Sequence, residues 1–225
     1  MITLMHHAAV ETSEGLDALL TIRCHARLLL IHRLLSSPKP PTRVLSILAG
    51  TTEEPVNESD LTLSDPKNYG YVLPCAAHSS TITSLSFEHL AKENPHTSFV
   101  HAYPGLVKTS ALTNWIGNEW IRWLVDWTVV PLLQPPICVP IEEAGERGLF
   151  YLTSRRYAPL DADSAKAVGL VKGVEQGKGK GAYFVSRYGE EGEGKCMAGY
   201  RERGFEKDIW KHCLDVFEAT LKKSV

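Results

Sequence analysis

The first 41 residues carry a helical pattern of apolar positions followed by a loop. Apolar side chains recur at intervals of three and four residues, the spacing that brings them onto one face of a helix. They are Leu16, Leu19, Leu20, Cys24, Leu28, Ile31 and Leu35. Thr12, Ser13 and Glu14 supply a hydroxyl cap and an acid before this run, so we predict that the helix begins there. Residues 36–41, rich in serine and proline, end it as a loop.

A continuous apolar run follows, Val44 to Ala49 (VLSILA), closed by Gly50. A short apolar run of this length and composition predicts a fully buried strand of a parallel sheet. Residues 51–75 are polar and rich in turn formers, with no regular period. A long loop beside the carboxyl end of a strand is often functional.

The stretch 77–109 predicts a helix, a strand and a tight loop. Apolar residues at helical spacing define the helix, and Asn94-Pro95 ends it because a residue before proline avoids the α region. Residues 98–102 (SFVHA) predict a strand, bounded by Pro104-Gly105. Ligands of open α/β sheets bind at the carboxyl ends of such strands.

The second half repeats this alternation. Residues 114–133 predict an amphipathic helix rich in tryptophan that ends at Pro131, and 142–154 and 205–221 predict two more. Residues 182–186 predict a short strand, and the Gly/Glu-rich segment 187–199 predicts a mobile loop. Helices that alternate with buried strands favour an α/β fold with a parallel sheet covered by helices.

Composition narrows the class of protein. The chain has 225 residues, 44% hydrophobic, and a net charge of −2, which fits one globular domain and gives no reason to expect a nucleic-acid partner. The five cysteines are scattered and form no C-x-x-C motif, so we expect a reducing, cytoplasmic environment. We see no signal peptide and no apolar run long enough for a membrane span.

The order of elements and three local motifs resemble the second half of the short-chain dehydrogenase/reductase family, most of all its fungal members. The motifs are ETSEGLD (11–17), SFEHLAKENP (86–95) and SFVHAYPGLVKT (98–109). The resemblance implies an incomplete, doubly wound Rossmann-type sheet, with residues 1–225 forming a single domain that corresponds to the carboxyl-terminal part of that fold. It also implies oxidation or reduction of alcohols and ketones with NADP(H) or NAD(H).

The glycine-rich turn that holds the cofactor pyrophosphate in such folds is not found in the sequence. The family's first three strands would need about 80–90 further residues, so the chain is expected to begin near the family's fourth strand. The segment GKGKG (177–181) precedes a predicted strand and lacks the serine or threonine of a phosphate loop. We interpret it as a solvated, flexible turn.

The family's reactive residues do not align with matching residues here. Counting back from LAKE (90–93), the tyrosine that acts as general acid/base falls on Ala76, and its lysine partner on Ser80. The active-site asparagine falls near Arg23. The catalytic serine falls on Ile47, with Ser46 adjacent, although a one-residue slip along a strand turns the side chain to the opposite face.

Three residues are candidates for replacement chemistry. Ser46 lies next to the serine position, Tyr71 lies in the loop before the helix, and His78 lies near the helix start, where an imidazole can exchange protons near neutral pH. A packing or surface role is the simpler interpretation of all three. Ser46 would then be a small polar residue within a buried strand.

The loop PGLVKT supplies candidates for cofactor binding. Within the family this loop contacts the nicotinamide, so the resemblance assigns Pro104, Gly105, Val107 and Thr109 to the cofactor, with Thr109 matching the residue that binds the carboxamide. The alternative is that Pro104-Gly105 is simply a sharp turn. Residues 112–133 match the family's substrate lid, although a packed or dimer-forming helix, or one that contacts a membrane surface, fits the same pattern.

Three functional hypotheses follow. The first is an oxidoreductase that acts on a small hydrophobic alcohol or ketone with NADP(H) or NAD(H). The second is a catalytically degenerate family member that binds a hydrophobic ligand, forms a homo-oligomer, or pairs with a complete homologue through its helix faces. The third is a truncated gene model, in which the absent strands would leave a sheet edge unpaired. No metal site is expected.

Overall fold

A computed structural model describes residues 11–65, 72–107, 117–132, 138–160 and 181–223. The strands are β1 (Arg43–Ile47), β2 (Ser98–Ala102), β3 (Leu106–Val107), β4 (Cys138–Val139) and β5 (Ala182–Val185). The helices are α1 (Ala18–Leu20), α2 (Ala26–Leu35), α3 (Val72–Glu93), α4 (Glu119–Leu132), α5 (Ile141–Thr153), α6 (Met197–Glu202) and α7 (Phe205–Lys223). None of the helices in these ranges is both long enough and apolar enough to cross a bilayer.

The first helix begins later than the sequence pattern predicts. Asp17, rather than the segment 12–14, caps it: the Asp17 carboxylate accepts a hydrogen bond of 2.5 Å from the Leu20 amide. The side chain of Thr12 instead accepts from the amide of Leu16, within a turn that precedes the helix. A π-helical turn, Thr21–His25, joins α1 to α2 and widens the helix by one residue there.

The main sheet is parallel, with strand order β1-β2-β5. Leu45 aligns with Val100, and Val100 aligns with Tyr183, so side chains in register share one face of the sheet. This sheet, flanked by helices, confirms the predicted α/β class and is consistent with a partial Rossmann-like fold.

Each face of the sheet has its own core. On one face, Phe99 and Phe184 pack in the large cluster that also contains Leu85 of α3 and Ile209 of α7. The opposite face is covered by aromatic rings of α5 and the 3₁₀ turn Arg155–Tyr157 that follows it. That second core contains Val100, Ala102, Tyr151, Tyr157, Tyr183 and Val185. Burial of each large side chain contributes about 1.5–3 kcal/mol.

Strand β1 departs from the expected fully buried strand. Ser46 is its buried residue, whereas Ile47 is 43% exposed. Within the described residues β1 pairs with β2 alone, so one of its edges has no neighbouring strand there. The continuous apolar run therefore predicted the strand correctly but not its position at the end of the sheet.

The Gly/Glu-rich segment 187–199 is partly packed rather than mobile throughout. Glu191 forms a β-bridge with Val185, and the Gly194 amide binds the side chain of Glu53. Met197, where α6 begins, is fully buried. This segment therefore anchors α6 close to the loop that follows β1.

Candidate functional site

The carboxyl ends of β1, β2 and β5 meet at one edge of the sheet, where parallel folds bind ligands. The turn after β2 contains Pro104 and Gly105, both half-buried. Gly105 has φ of +79°, and a Cβ there would lie 3.3 Å from side-chain atoms of Val139 and Arg187. A side chain at this position would be both strained and crowded, which accounts for glycine in the turn.

The rest of the predicted cofactor loop continues beyond this turn. Val107 lies in β3, which pairs in parallel with β4 to form a small second sheet. Thr109 lies outside the described residues. The structure therefore places Pro104, Gly105 and Val107 together beyond the carboxyl end of β2, and their assignment to a cofactor stays a prediction.

Helix α4 is connected to the same region, because it lies in the chain between β3 and β4. It begins after Gly117, and Asn118 caps it by accepting hydrogen bonds from the first amides of the helix. Trp120 and Trp127 are 77% and 71% exposed, and Trp123 packs against both. The helix lines an open hollow of about 560 Å³ whose walls include Trp120 and Trp123.

Helix α3, which the resemblance predicts to be a catalytic helix, carries no reactive pair at the expected positions. Ala76 is half-buried near the start of α3. Ser80 is fully buried, and its hydroxyl donates to the carbonyl of Ala49, in the turn after β1. Ser80 therefore fastens α3 to the end of the sheet, and no solvent-facing group stands at the lysine position.

Ser46 is buried on the face of β1 that points toward α3. It aligns with His101 of β2, and within the described part of the chain its hydroxyl has no hydrogen-bond partner. This placement fits the interpretation of Ser46 as a small polar residue in a strand. A catalytic role for Ser46 stays a prediction.

His78 is also buried, whereas Tyr71 lies outside the described residues. The His78 ring Nε2 lies 3.0 Å from the carbonyl oxygen of Leu61, so Nε2–H is the donor. Burial lowers the pKa of His78, although the bond to Leu61 and the charge of Asp60 oppose that shift. The ring is thus held in place by the loop that precedes α3, and its role in catalysis stays a prediction.

A buried polar network of Glu53, Ser84 and His101 lies under the site, and the sequence did not predict it. The carboxylate of Glu53 accepts hydrogen bonds from the hydroxyl of Ser84 (2.7 Å) and the amide of Thr51 (3.0 Å). The ring Nδ1 of His101 lies 2.9 Å from the same Ser84 hydroxyl. Since Ser84 gives its only proton to Glu53, the His101 Nδ1–H must donate to Ser84, which leaves Nε2 as an unprotonated, buried nitrogen.

Burial shifts the pKa values of the two titratable groups in this network. It raises the pKa of Glu53, although its hydrogen bonds oppose the shift. Burial also lowers the pKa of His101 to about 3, assisted by the positive charges of Arg27 and Arg23. The one available sequence signal was the unusual run of hydroxyl side chains along α3. Neither a helical period nor a motif links Glu53, Ser84 and His101, which come from three separate elements.

Two arginines, Arg23 of the π-helical turn and Arg27 of α2, bond to α3 and to the end of β1 respectively. Arg23, at the position expected for the family's asparagine, donates from Nε to the Ser79 hydroxyl at 3.2 Å. Arg27 donates from Nη1 to the carbonyl of Ile47, the last residue of β1, also at 3.2 Å. Among the described residues, no group of three or more His, Cys, Asp and Glu side chains is arranged to hold a metal ion.

Comparison with known proteins relates the chain to oxidoreductases. It is 36% identical over 221 residues to an oxidoreductase of Emericella nidulans, covering 95% of this chain and 65% of that protein. It is 34% identical to the NmrA-like family domain-containing oxidoreductase notO of Aspergillus sp., over 94% of this chain and 60% of the relative. It is also 34% identical to oxidoreductase andH of Emericella variicolor, over 94% of this chain and 64% of the relative.

The chain thus spans 60–65% of the length of these relatives. No family model and no solved structure matches it. The relatives' names agree with the general class of protein that the motifs indicate. They give neither a substrate nor a choice of cofactor.

Proposed function

We propose that the chain contributes the carboxyl-terminal part of an oxidoreductase of the short-chain dehydrogenase/reductase type. The proposed reaction interconverts a small hydrophobic alcohol and ketone with NADP(H) or NAD(H). The observation that carries the proposal is the similarity along 94–95% of the chain to proteins named oxidoreductases. The parallel sheet and the turn at Pro104-Gly105 support it, because they provide an edge at which a dinucleotide can lie.

In this proposal the residues at the edge of the sheet bind the cofactor and the substrate, and they exclude water from them. The turn at Gly105 approaches the cofactor with its backbone, and the indole rings of α4 form an apolar wall for the substrate. A nicotinamide, when bound, supplies or accepts the hydride. Ala76 and Ser80 stand where the resemblance expects the tyrosine and lysine that transfer the proton. In this proposal another group must therefore exchange the proton.

Isothermal titration with NADPH and NADH tests this function. We expect heat from at least one of the two cofactors, and a loss of that heat in Gly105→Val, which places a branched side chain at φ of +79°. Gly145→Ala is the matched control, because a Cβ at position 145 meets nothing within 4 Å. The absence of heat from both cofactors at millimolar concentration would contradict the proposal.

The second candidate is a degenerate relative that binds a ligand or a partner without redox chemistry. It is favoured by the buried Ser80 at the lysine position and by exposed apolar side chains on the π-helical turn (Ile22) and on α2 (Leu30 and Leu34). Size-exclusion chromatography with light scattering distinguishes the versions. A homo-oligomer, or a complex with a complete homologue, supports partner binding, whereas a monomer indifferent to apolar ligands contradicts this candidate.

A further inference from the structure

Arg23 and Arg27 lie four residues apart, on the π-helical turn and on α2. Arg27 reaches the carbonyl of Ile47 at the end of β1, and Arg23 reaches the hydroxyl of Ser79 in α3. Arg23 uses Nε for its bond to Ser79, so both of its terminal nitrogens remain without a partner among the described residues. Arg27 uses Nε and one terminal nitrogen for the backbone carbonyls of Ile22 and Ile47. The planar forks of the two side chains are therefore fixed at one edge while several N–H donors stay available.

The charge of the pair is not neutralised by the described part of the chain. Neither guanidinium forms an ion pair with a carboxylate there, and each of the two side chains is partly buried. Burial lowers the pKa of Arg23, Cys75 opposes that shift, and the neighbouring charge of Arg27 acts in the same direction as burial. By contrast, partly buried Arg201 is matched by two carboxylates, those of Glu88 and Glu193.

Two like charges held together at a partly buried edge create a site that favours an anion. A carboxylate or a phosphate presents two oxygens to guanidinium forks and forms short, charge-assisted hydrogen bonds with them. The positive charge also extends inward, since it helps to keep His101 neutral. An anion bound here would lie beside the carboxyl end of β1 and the first turns of α3.

We propose that Arg23 and Arg27 form a binding site for an oxyanion group, either a carboxylate or a phosphate, at the carboxyl end of β1. The site rests on the proposed function only for its expected source of ligand. A phosphate would come from the nucleotide cofactor, and a carboxylate from an acidic hydrophobic substrate. Either source gives the pair the counter-charge that the described chain lacks.

Binding of inorganic phosphate and of hexanoate, each titrated alone, tests the site. We expect saturable binding of at least one probe, about tenfold weaker in Arg27→Gln and in Arg23→Gln. Arg33→Gln is the matched control, because this exposed arginine of α2 lies away from the pair, and it should bind as the wild type does. Circular dichroism spectra of all variants establish that they are folded.

The pattern of binding identifies the source of the ligand. Tighter binding of phosphate supports a cofactor phosphate, and tighter binding of hexanoate supports a substrate carboxylate. Equal affinities in the wild type and both glutamine variants would overturn the site. So would the absence of binding of either probe when its concentration is varied 50-fold around about 1 mM. Because no dinucleotide is used, this test fails or succeeds independently of the cofactor titration.

Discussion

The amide of Gly194 donates a hydrogen bond of 2.9 Å to Glu53 Oε2, which joins residues 141 positions apart in the chain. The two backbones touch at this point, since a Cβ at position 194 would lie 2.0 Å from the carbonyl oxygen of Glu53. The contact therefore closes the loop after β1 against the segment before α6. It also supplies one of the hydrogen bonds that hold the buried Glu53 carboxylate.

Gly194→Ala should destabilise the protein, because the backbone at position 194 or 53 must move and the bond to Glu53 lengthens. We expect a loss of about 1–3 kcal/mol in the free energy of unfolding, measured by urea titration. Gly199→Ala is the control: it lies within α6, and a Cβ there meets nothing within 4 Å. A stability of Gly194→Ala equal to that of the control would show that the close contact is absent in solution.

Ser84→Ala tests the buried polar network of Glu53, Ser84 and His101. The substitution removes the donor to Glu53 and leaves the Nδ1–H of His101 buried without an acceptor. We expect a loss of about 1–3 kcal/mol in the free energy of unfolding, the usual cost of an unsatisfied buried group. Thr153→Ala, which removes an exposed hydroxyl near the end of α5, should change it by less than about 0.5 kcal/mol. Similar free energies of unfolding for both variants would argue against the hydrogen bonds that Ser84 makes with Glu53 and His101.

The sequence predicted the elements better than their connections. A β-rich run bounded by Pro104-Gly105 located the strand at 98–102, and the helical period of apolar positions located the last helix. The start at Asp17 was missed because Thr12 and Ser13 offered an equally good capping signal, whereas in the structure Asp17 accepts the bond from the Leu20 amide. The apolar run of β1 could not reveal that the strand lies at the end of the sheet.

The candidate site was predictable only where a local motif marks it. The turn at Pro104-Gly105 could be predicted from the sequence, because its positive φ favours glycine and the Pro-Gly pair marks it. The pairing of Glu53 with Ser84 and of Arg27 with Ile47 joins residues that share no motif, so these contacts depend on the packing of α3 and the first helix. Long-range polar contacts of this kind leave no period in the sequence.

Arg201→Met should destabilise the protein strongly, because it strands the carboxylate of Glu88. Arg201 donates two hydrogen bonds to Glu88 Oε1, and the Glu88 side chain is almost fully buried. We expect a loss of about 3–5 kcal/mol in the free energy of unfolding, with partial recovery in the double variant Glu88→Gln/Arg201→Met.

Arg203→Met provides the matched control for that experiment. Its ion pair with Glu58 has both side chains largely exposed, so its removal should change the free energy of unfolding far less than Arg201→Met does. Chemical denaturation of the three variants and the wild type gives the comparison. If Arg201→Met and Arg203→Met lose the same stability, the Glu88 pair is not buried as the structure has it.

Acid should destabilise the protein through its buried histidines. Burial lowers the pKa of His25 to about 4 and that of His101 to about 3, below the ordinary value of 6.5. Between these values the unfolded chain binds more protons than the folded chain, so the free energy of unfolding falls as pH drops from about 6.5 toward 3. Glu53, Glu88 and Glu191, whose pKa values are raised by burial, act in the opposite direction.

Urea titrations between pH 7 and pH 4 measure this slope. His25→Leu should flatten it, because the variant removes a buried ring whose two nitrogens have no partner among the described residues. Leu30→Ala, on an exposed part of the same helix, removes no titrating group and should keep the slope. An unchanged slope in His25→Leu would contradict the assignment of His25 as a buried neutral histidine.

Introducing a tyrosine–lysine pair by Ala76→Tyr and Ser80→Lys should not create an efficient enzyme. Ala76 is half-buried, whereas Ser80 is fully buried and bonded to Ala49. A lysine at position 80 loses that bond and brings an ammonium group into a fully buried position, which lowers its pKa and costs about 3 kcal/mol or more. Urea titration should therefore find Ser80→Lys strongly destabilised and Ala76→Tyr close to the wild type. A double variant that is stable and consumes NADPH with a ketone would show instead that position 80 opens onto the cofactor edge.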